Sequence, residues 1–212
     1  MSLSSKVLIV IIEDNKFIRN GWEILFNAVP DFEVIGSFSN CNDAFNSGII
    51  GNANIVILDI KLPGISGIEG AKYLSEHYPQ TLILISTAYE DDKNVFEAIS
   101  SGAIGFIPKK TSPDEFIKSI TLTLNGGSPM TPNVARQILK RESGGSFSKE
   151  GVSHKLTGIQ KSVVEKISAG KTYSTVAAEL NKTVREIMIE IRKIYSTIHK
   201  NLNKKTEGKN EK

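Results

Sequence analysis

At 212 residues the chain has room for one large domain or for two small ones, each with its own core. Residues 1–125 carry 9 Lys/Arg against 15 Asp/Glu and residues 126–212 carry 17 against 8, so the net charge of +3 conceals an acidic half and a basic half; the split favours two domains, one suited to a cation and one to phosphates. A single cysteine, Cys41, excludes an intramolecular disulfide and a cysteine metal cage and fits a reducing cytoplasm, while the apolar run Val7–Ile12 is too short for a membrane span or a signal core, so no membrane association is expected.

In chain order, apolar runs at Val7–Ile12, Phe32–Ser37, Ile55–Leu58, Leu82–Ile85 and Gly105–Ile107 read as strands. The first, third and fourth are nearly continuous rather than alternating, the pattern of strands buried on both faces. Between and after them lie helical patterns at Phe17–Ala28, Asp43–Ser47, Ile68–His77, Asp92–Ser101 and Asp114–Asn125. Five strands and five helices in strict alternation give a doubly wound α/β domain over residues 1–125. The run Gly126-Gly127-Ser128-Pro129 breaks the pattern, a helix follows over 131–141, and the glycines and serines of 142–151 complete an expected linker, 126–151. A small all-α domain is expected over 152–200. Its first helix carries Ile159, Val163, Val164 and Ile167 on one face, a short helix follows over Ser174–Leu180, and Thr183 with Glu186 forms a capping box for a third helix spaced by Ile187, Ile191, Ile194 and Ile198. Residues 201–212 are expected to be a disordered tail.

In an open α/β sheet the ligand site lies beyond the carboxyl ends of the strands. Here those ends are Glu13-Asp14, Asp59, Ser86-Thr87 and Lys109. Clustered carboxylates repel one another unless a cation intervenes, and an oxygen-only donor set suits Mg²⁺. Asp59 is then the natural nucleophile toward a phosphoryl group, with Lys109 and the metal screening the developing charge and Thr87 donating to a phosphoryl oxygen.

The segments Ile12-Glu13-Asp14, Leu58-Asp59-Ile60-Lys61-Leu62-Pro63-Gly64, Ser86-Thr87-Ala88 and Gly102–Lys109 resemble the motifs of response-regulator receiver domains. The resemblance implies a flavodoxin-like sheet of order 2-1-3-4-5 and a Mg²⁺ site made by Glu13, Asp14 and Asp59 with the backbone carbonyl of Lys61. It also implies a switch pair, Thr87 and Phe106, and a sensor histidine kinase as phosphoryl donor. The domain would catalyse only its own phosphorylation and dephosphorylation. Pro108 before Lys109 departs from the usual pattern and removes a backbone donor. A stand-alone enzyme fits less well: an aspartyl-phosphate hydrolase would want an acid where Lys61 stands, and Asn15-Lys16-Phe17 is not the glycine-rich turn of a dinucleotide site.

Residues 156–198 resemble the helix-turn-helix of NarL/LuxR-type regulators, from Leu156-Thr157 through Ala169-Gly170 to Val176–Leu180, and Gly126–Met130 is similar to that subfamily's linker. By that resemblance a recognition helix starting near Val184 offers Arg185, Met188, Ile189, Arg192 and Lys193 to DNA. Met188 and Glu190 stand where the family has a cation and an imidazole, and the fourth, dimer-supporting helix of the family is missing. Two functions stay open: a transcriptional regulator that associates as a homodimer on phosphorylation, and a phosphorylation-controlled protein-interaction regulator whose degenerate helix-turn-helix does not read DNA.

Overall fold

The computed structural model describes residues 6–88, 97–98, 101–143 and 156–207, with side chains as far as Lys140 and Ile198 in the last two stretches. The helix expected over Asp92–Ser101 falls outside these residues except for Glu97 and Ala98, which are helical, and the glycine-serine run 144–151 also lies outside them. The chain forms two compact units, one holding most residues up to Ile117 and the other most residues from Lys118 onward.

The sheet contains β1 (Val7–Ile12), β2 (Phe32–Phe38), β3 (Ile55–Leu58), β4 (Leu82–Thr87) and β5 (Gly105–Pro108) in the order β2-β1-β3-β4-β5. Parallel pairing joins β1 to β2 and β3, and β3 to β4. Ile9–Ile12 and Ile55–Leu58 are fully buried, as their unbroken apolar character requires; each side chain contributes roughly 1.5–3 kcal/mol of transfer free energy. The strand order places the topological switch between β1 and β3, so the loops after those two strands define the ligand crevice. Because β5 is an edge strand, Pro108 at its end removes no interior ladder bond.

Around the sheet lie α1 (Lys16–Asn27), α2 (Cys41–Asn46), α3 (Gly67–His77) and α4 (Pro113–Leu124). Asn15 caps α1 by accepting from the Phe17 and Ile18 amides. Trp22 and Phe26 form the inner face of α1 and meet Phe116 edge-on, with ring centroids 5.6 and 5.4 Å apart. Ser66 and Glu69 close a capping box on α3. Helix α2 starts two residues ahead of its expected Asp43, because Asn40 rather than a later polar residue supplies the cap.

The second unit holds α5 (Pro132–Ser143), α6 (Gly158–Ser168), α7 (Tyr173–Glu179) and α8 (Val184–Glu207). With no glycine or proline between Ile198 and Gly208 to stop it, α8 runs on to Glu207, into the expected tail. The expected linker contains the helix α5 as far as Ser143 and is packed at its start. Gly127–Met130 are all buried, and Arg136 of α5 donates to the Ser168 carbonyl at 3.0 Å, tying α5 to α6. Two phenols hold the buried strap: the Tyr173 hydroxyl donates to Met130 O at 2.7 Å and accepts from Met130 N at 2.5 Å, and the Tyr195 hydroxyl donates to Pro129 O at 3.0 Å. Burial pushes Tyr173 up to about 12 and Tyr195 well above the ordinary tyrosine value, so both remain donors. Tyr195→Phe strands the buried Pro129 carbonyl and is expected to destabilise this unit by about 1–3 kcal/mol in thermal unfolding.

Candidate functional site

Two strand ends bring three carboxylates together. Glu13 and Asp14 follow β1 and Asp59 follows β3, and carboxylate oxygens from all three lie within 4.8 Å of one another. Asp59 is 3% exposed and Glu13 fully buried, whereas Asp14 faces solvent. The main chain fixes Asp59 at both sides, since its amide donates to Ile12 O at 3.0 Å and its Oδ1 accepts from the Ile60 amide at 2.7 Å. Lys109, just past β5, reaches in with Nζ 2.6 Å from Glu13 and 3.0 Å from Asp59.

Electrostatics follow from this burial. Desolvation raises the Glu13 pKa above the usual carboxylate value, and the Lys109 charge only partly offsets it. Desolvation alone would lower Lys109, but its hydrogen bonds and charge contacts with Glu13 and Asp59 outweigh that penalty and hold it above the ordinary lysine value. The ammonium therefore stays charged and balances two buried acids. A hard dication entering the same oxygen cluster would take over that role and leave Lys109 available to a phosphoryl oxygen.

Thr87 ends β4 fully buried, and its carbonyl accepts the Lys109 amide at 3.1 Å, so the two residues lie at the ends of neighbouring strands at the same edge of the sheet. Phe106 is 1% exposed within β5. Lys61 lies exposed two residues beyond Asp59. Three further residues shape the site without any strand-end signal. Trp22 has its ring centroid 5.9 Å from Lys109 Nζ. Gly67 lies against the Asp59 carbonyl, where an added Cβ would come within 1.8 Å. Arg19 donates to the Glu13 and Asp14 carbonyls. Its place one turn into α1, behind two acids, was the only trace of this in the sequence.

In the second unit, α8 leaves Arg185 and Lys193 exposed and Ile189 and Arg192 half-exposed, and Ile189, Arg192 and Lys193 border an open groove with Ser196 and Thr197. Met188 differs from the expectation. It is 1% exposed, and a side chain at Gly127 would meet its Cβ at 2.8 Å, so it packs on the strap and is absent from the outward face. Glu190 also turns inward: it accepts from Gln160 Nε2 at 3.4 Å and pairs with Lys193 at 2.7 Å, which removes most of the bare negative charge that its sequence position suggests. Among the described residues no helix is long and apolar enough to cross a membrane.

Comparison with known proteins agrees with this geometry. The family model described as the response regulator receiver domain matches residues 9–121, more than half of the chain. The transcriptional regulatory protein UhpA of Escherichia coli is 28% identical over 185 residues, covering 86% of this chain and 87% of that protein. LiaR of Bacillus subtilis, also a transcriptional regulatory protein, is 25% identical over 195 residues, covering 91% and 90%. A LuxR-family two-component response regulator from Aurantimonas superposes with a TM-score of 0.59 at 26% identity, covering 66% of this chain and 99% of that one. An RcsB–DNA complex superposes with a TM-score of 0.58 at 18% identity over 94% and 98%, which speaks to the fold. With its acidic triad and lysine at the strand ends and its receiver segment matched throughout, the chain belongs to the response regulators.

Proposed function

We propose that this response regulator accepts a phosphoryl group on Asp59 from a sensor histidine kinase and controls transcription through α8. The convergence of Glu13, Asp14, Asp59 and Lys109 at one rim carries the reading. Asp59 attacks phosphorus in line; an oxygen–phosphorus bond forms, the phosphorus–nitrogen bond to the donor imidazole breaks with its electron pair going to nitrogen, and the ring, carrying a proton on its other nitrogen, departs as neutral imidazole. Glu13, Asp14, Asp59 and the Lys61 carbonyl would hold Mg²⁺, which neutralises phosphoryl charge when bound, and the oxygen-only donor set fits that ion. Lys109 and the Thr87 hydroxyl contact the transferred group, and Thr87 with Phe106 shifts the balance between two receiver states. The transfer acts on the domain itself, so the chain is no turnover enzyme, and its single cysteine suits the cytoplasm, where such kinases present their phosphohistidine. A protein donor is supported by Phe17 and Ile24, 88% and 73% exposed, two turns apart on α1 and beginning beside the acidic loop.

Similarity to transcriptional regulators over most of both chains supports DNA as the target. Arg192 and Lys193 would meet phosphates, with Arg185 and Ile189 nearest the bases. The half-exposed Ile189, bordering an open groove, favours a second reading, in which α8 meets a protein partner instead. Selection from random DNA with the phosphorylated protein separates them. Enrichment of a reproducible inverted repeat, bound by two copies and weakened by salt, is expected. No enrichment at low salt would discard the DNA reading in favour of a protein partner.

A further inference from the structure

Arg19 contributes no atom to the acidic cluster, yet it grips the loop that carries two of its three members. Its Nη1 donates to Glu13 O at 2.6 Å and to Asp14 O at 3.2 Å. A peptide group is planar, so a carbonyl turned one way turns the following amide the other. Drawing Asp14 O toward Arg19 therefore aims the Asn15 amide away from it, and that amide donates to Glu13 Oε1 at 3.1 Å. The loop is fixed at its entrance by Glu13 N donating to Phe38 O at 2.9 Å and at its exit by the Asn15 cap. Between these two points, Arg19 is the side chain that sets the peptide orientation. It also brings a permanent positive charge close to a crowded set of acids while binding carbonyls alone, so no carboxylate oxygen is taken from a cation.

We propose that Arg19 is a positioning residue for the phosphoacceptor site: by holding the Glu13 and Asp14 carbonyls it presents both carboxylates to a divalent cation and so sets the affinity for Mg²⁺. This rests on the Mg²⁺ reading of the site given above. Outer-shell partners of metal ligands typically change affinity by about 10- to 100-fold, and the lower end is expected here because the loop keeps its other two anchors.

The test is a Mg²⁺ titration of the full chain followed by the fluorescence of Trp22, the only tryptophan. Its ring lies 5.9 Å from the ammonium that Mg²⁺ would draw off Glu13 and Asp59. Calorimetric titration of the same samples supplies a second readout. Arg19→Ala is expected to raise the Mg²⁺ midpoint about ten-fold while phosphorylation from a small donor recovers at saturating Mg²⁺, and Arg19→Lys, which keeps a cationic donor on a shorter side chain, is expected to restore part of the affinity. Should Arg19→Ala fail to fold, Arg19→Gln, too short to bridge both carbonyls, is titrated in its place with the same expectation. A wild-type midpoint in the folded variant overturns the role of Arg19 and leaves the metal site standing. A wild-type chain that takes up no Mg²⁺ by either readout overturns the metal site and the role of Arg19 together.

Discussion

Asp59→Asn is expected to abolish phosphate incorporation from acetyl phosphate in the presence of Mg²⁺, measured as loss of the label that hydroxylamine removes from the wild-type protein. The asparagine amide is nearly isosteric, and its oxygen can still accept the Ile60 amide that Asp59 Oδ1 accepts at 2.7 Å. What disappears is the nucleophilic charge. A neutral amide oxygen does not attack phosphorus at a useful rate, and one of the three oxygen donors of the acidic cluster is weakened with it. Lys109 retains its 2.6 Å partner Glu13, so the buried ammonium is not orphaned and the receiver should still melt cooperatively. Persistent hydroxylamine-sensitive labelling of a folded Asp59→Asn chain would move the acceptor elsewhere.

Gly67→Ala is expected to cost about 3 kcal/mol, the upper range for overpacking, and to lower phosphorylation of the remaining folded protein. Its Cβ would fall 1.8 Å from Asp59 O, 2.7 Å from Asp59 C and 2.8 Å from the Ile60 Cα. All three are backbone atoms in a buried stretch, so no flexible side-chain tip can yield. Either α3 lifts off or the acceptor aspartate shifts. Gly21→Ala is the control: Gly21 is exposed within α1 with nothing inside 4 Å of the added Cβ, and the change is expected to stabilise by about 0.5–1 kcal/mol. Urea unfolding followed by Trp22 fluorescence reports on both variants, since this ring belongs to the first unit. Equal midpoints for the two variants would remove the close approach as an explanation.

The α/β unit was legible because its signals are local. Short unbroken apolar runs rich in β-branched residues, such as Ile55–Leu58, read as interior strands, and chemistry at their ends follows from where a doubly wound sheet opens. Glu13, Asp59 and Lys109 meet as those strand ends suggested. Other features depended on partners that no local pattern announces. Met188 reads as an outward residue of a recognition helix, but its neighbour Gly127 lies far back in the sequence and covers it. Glu190 reads as a charge facing DNA until Gln160, on another helix, turns it inward. Glycine at 67 looks like an ordinary break after Ser66, and only the approach of α3 to β3 shows why a larger residue is excluded. The same holds for Gly127–Met130, whose composition is that of a mobile connector while its carbonyls are held by two phenols.

That grip has a consequence for how effector modules can be exchanged among regulators. The polypeptide packed together with α8 does not begin after the glycine-serine run; it reaches back at least to Gly127, whose amide hydrogen-bonds Leu122 O at 2.9 Å. A chimaera joined downstream of Ser143 would inherit tyrosines shaped for a foreign main chain, whereas a junction placed ahead of Gly127 keeps ligature and helices from the same ancestor.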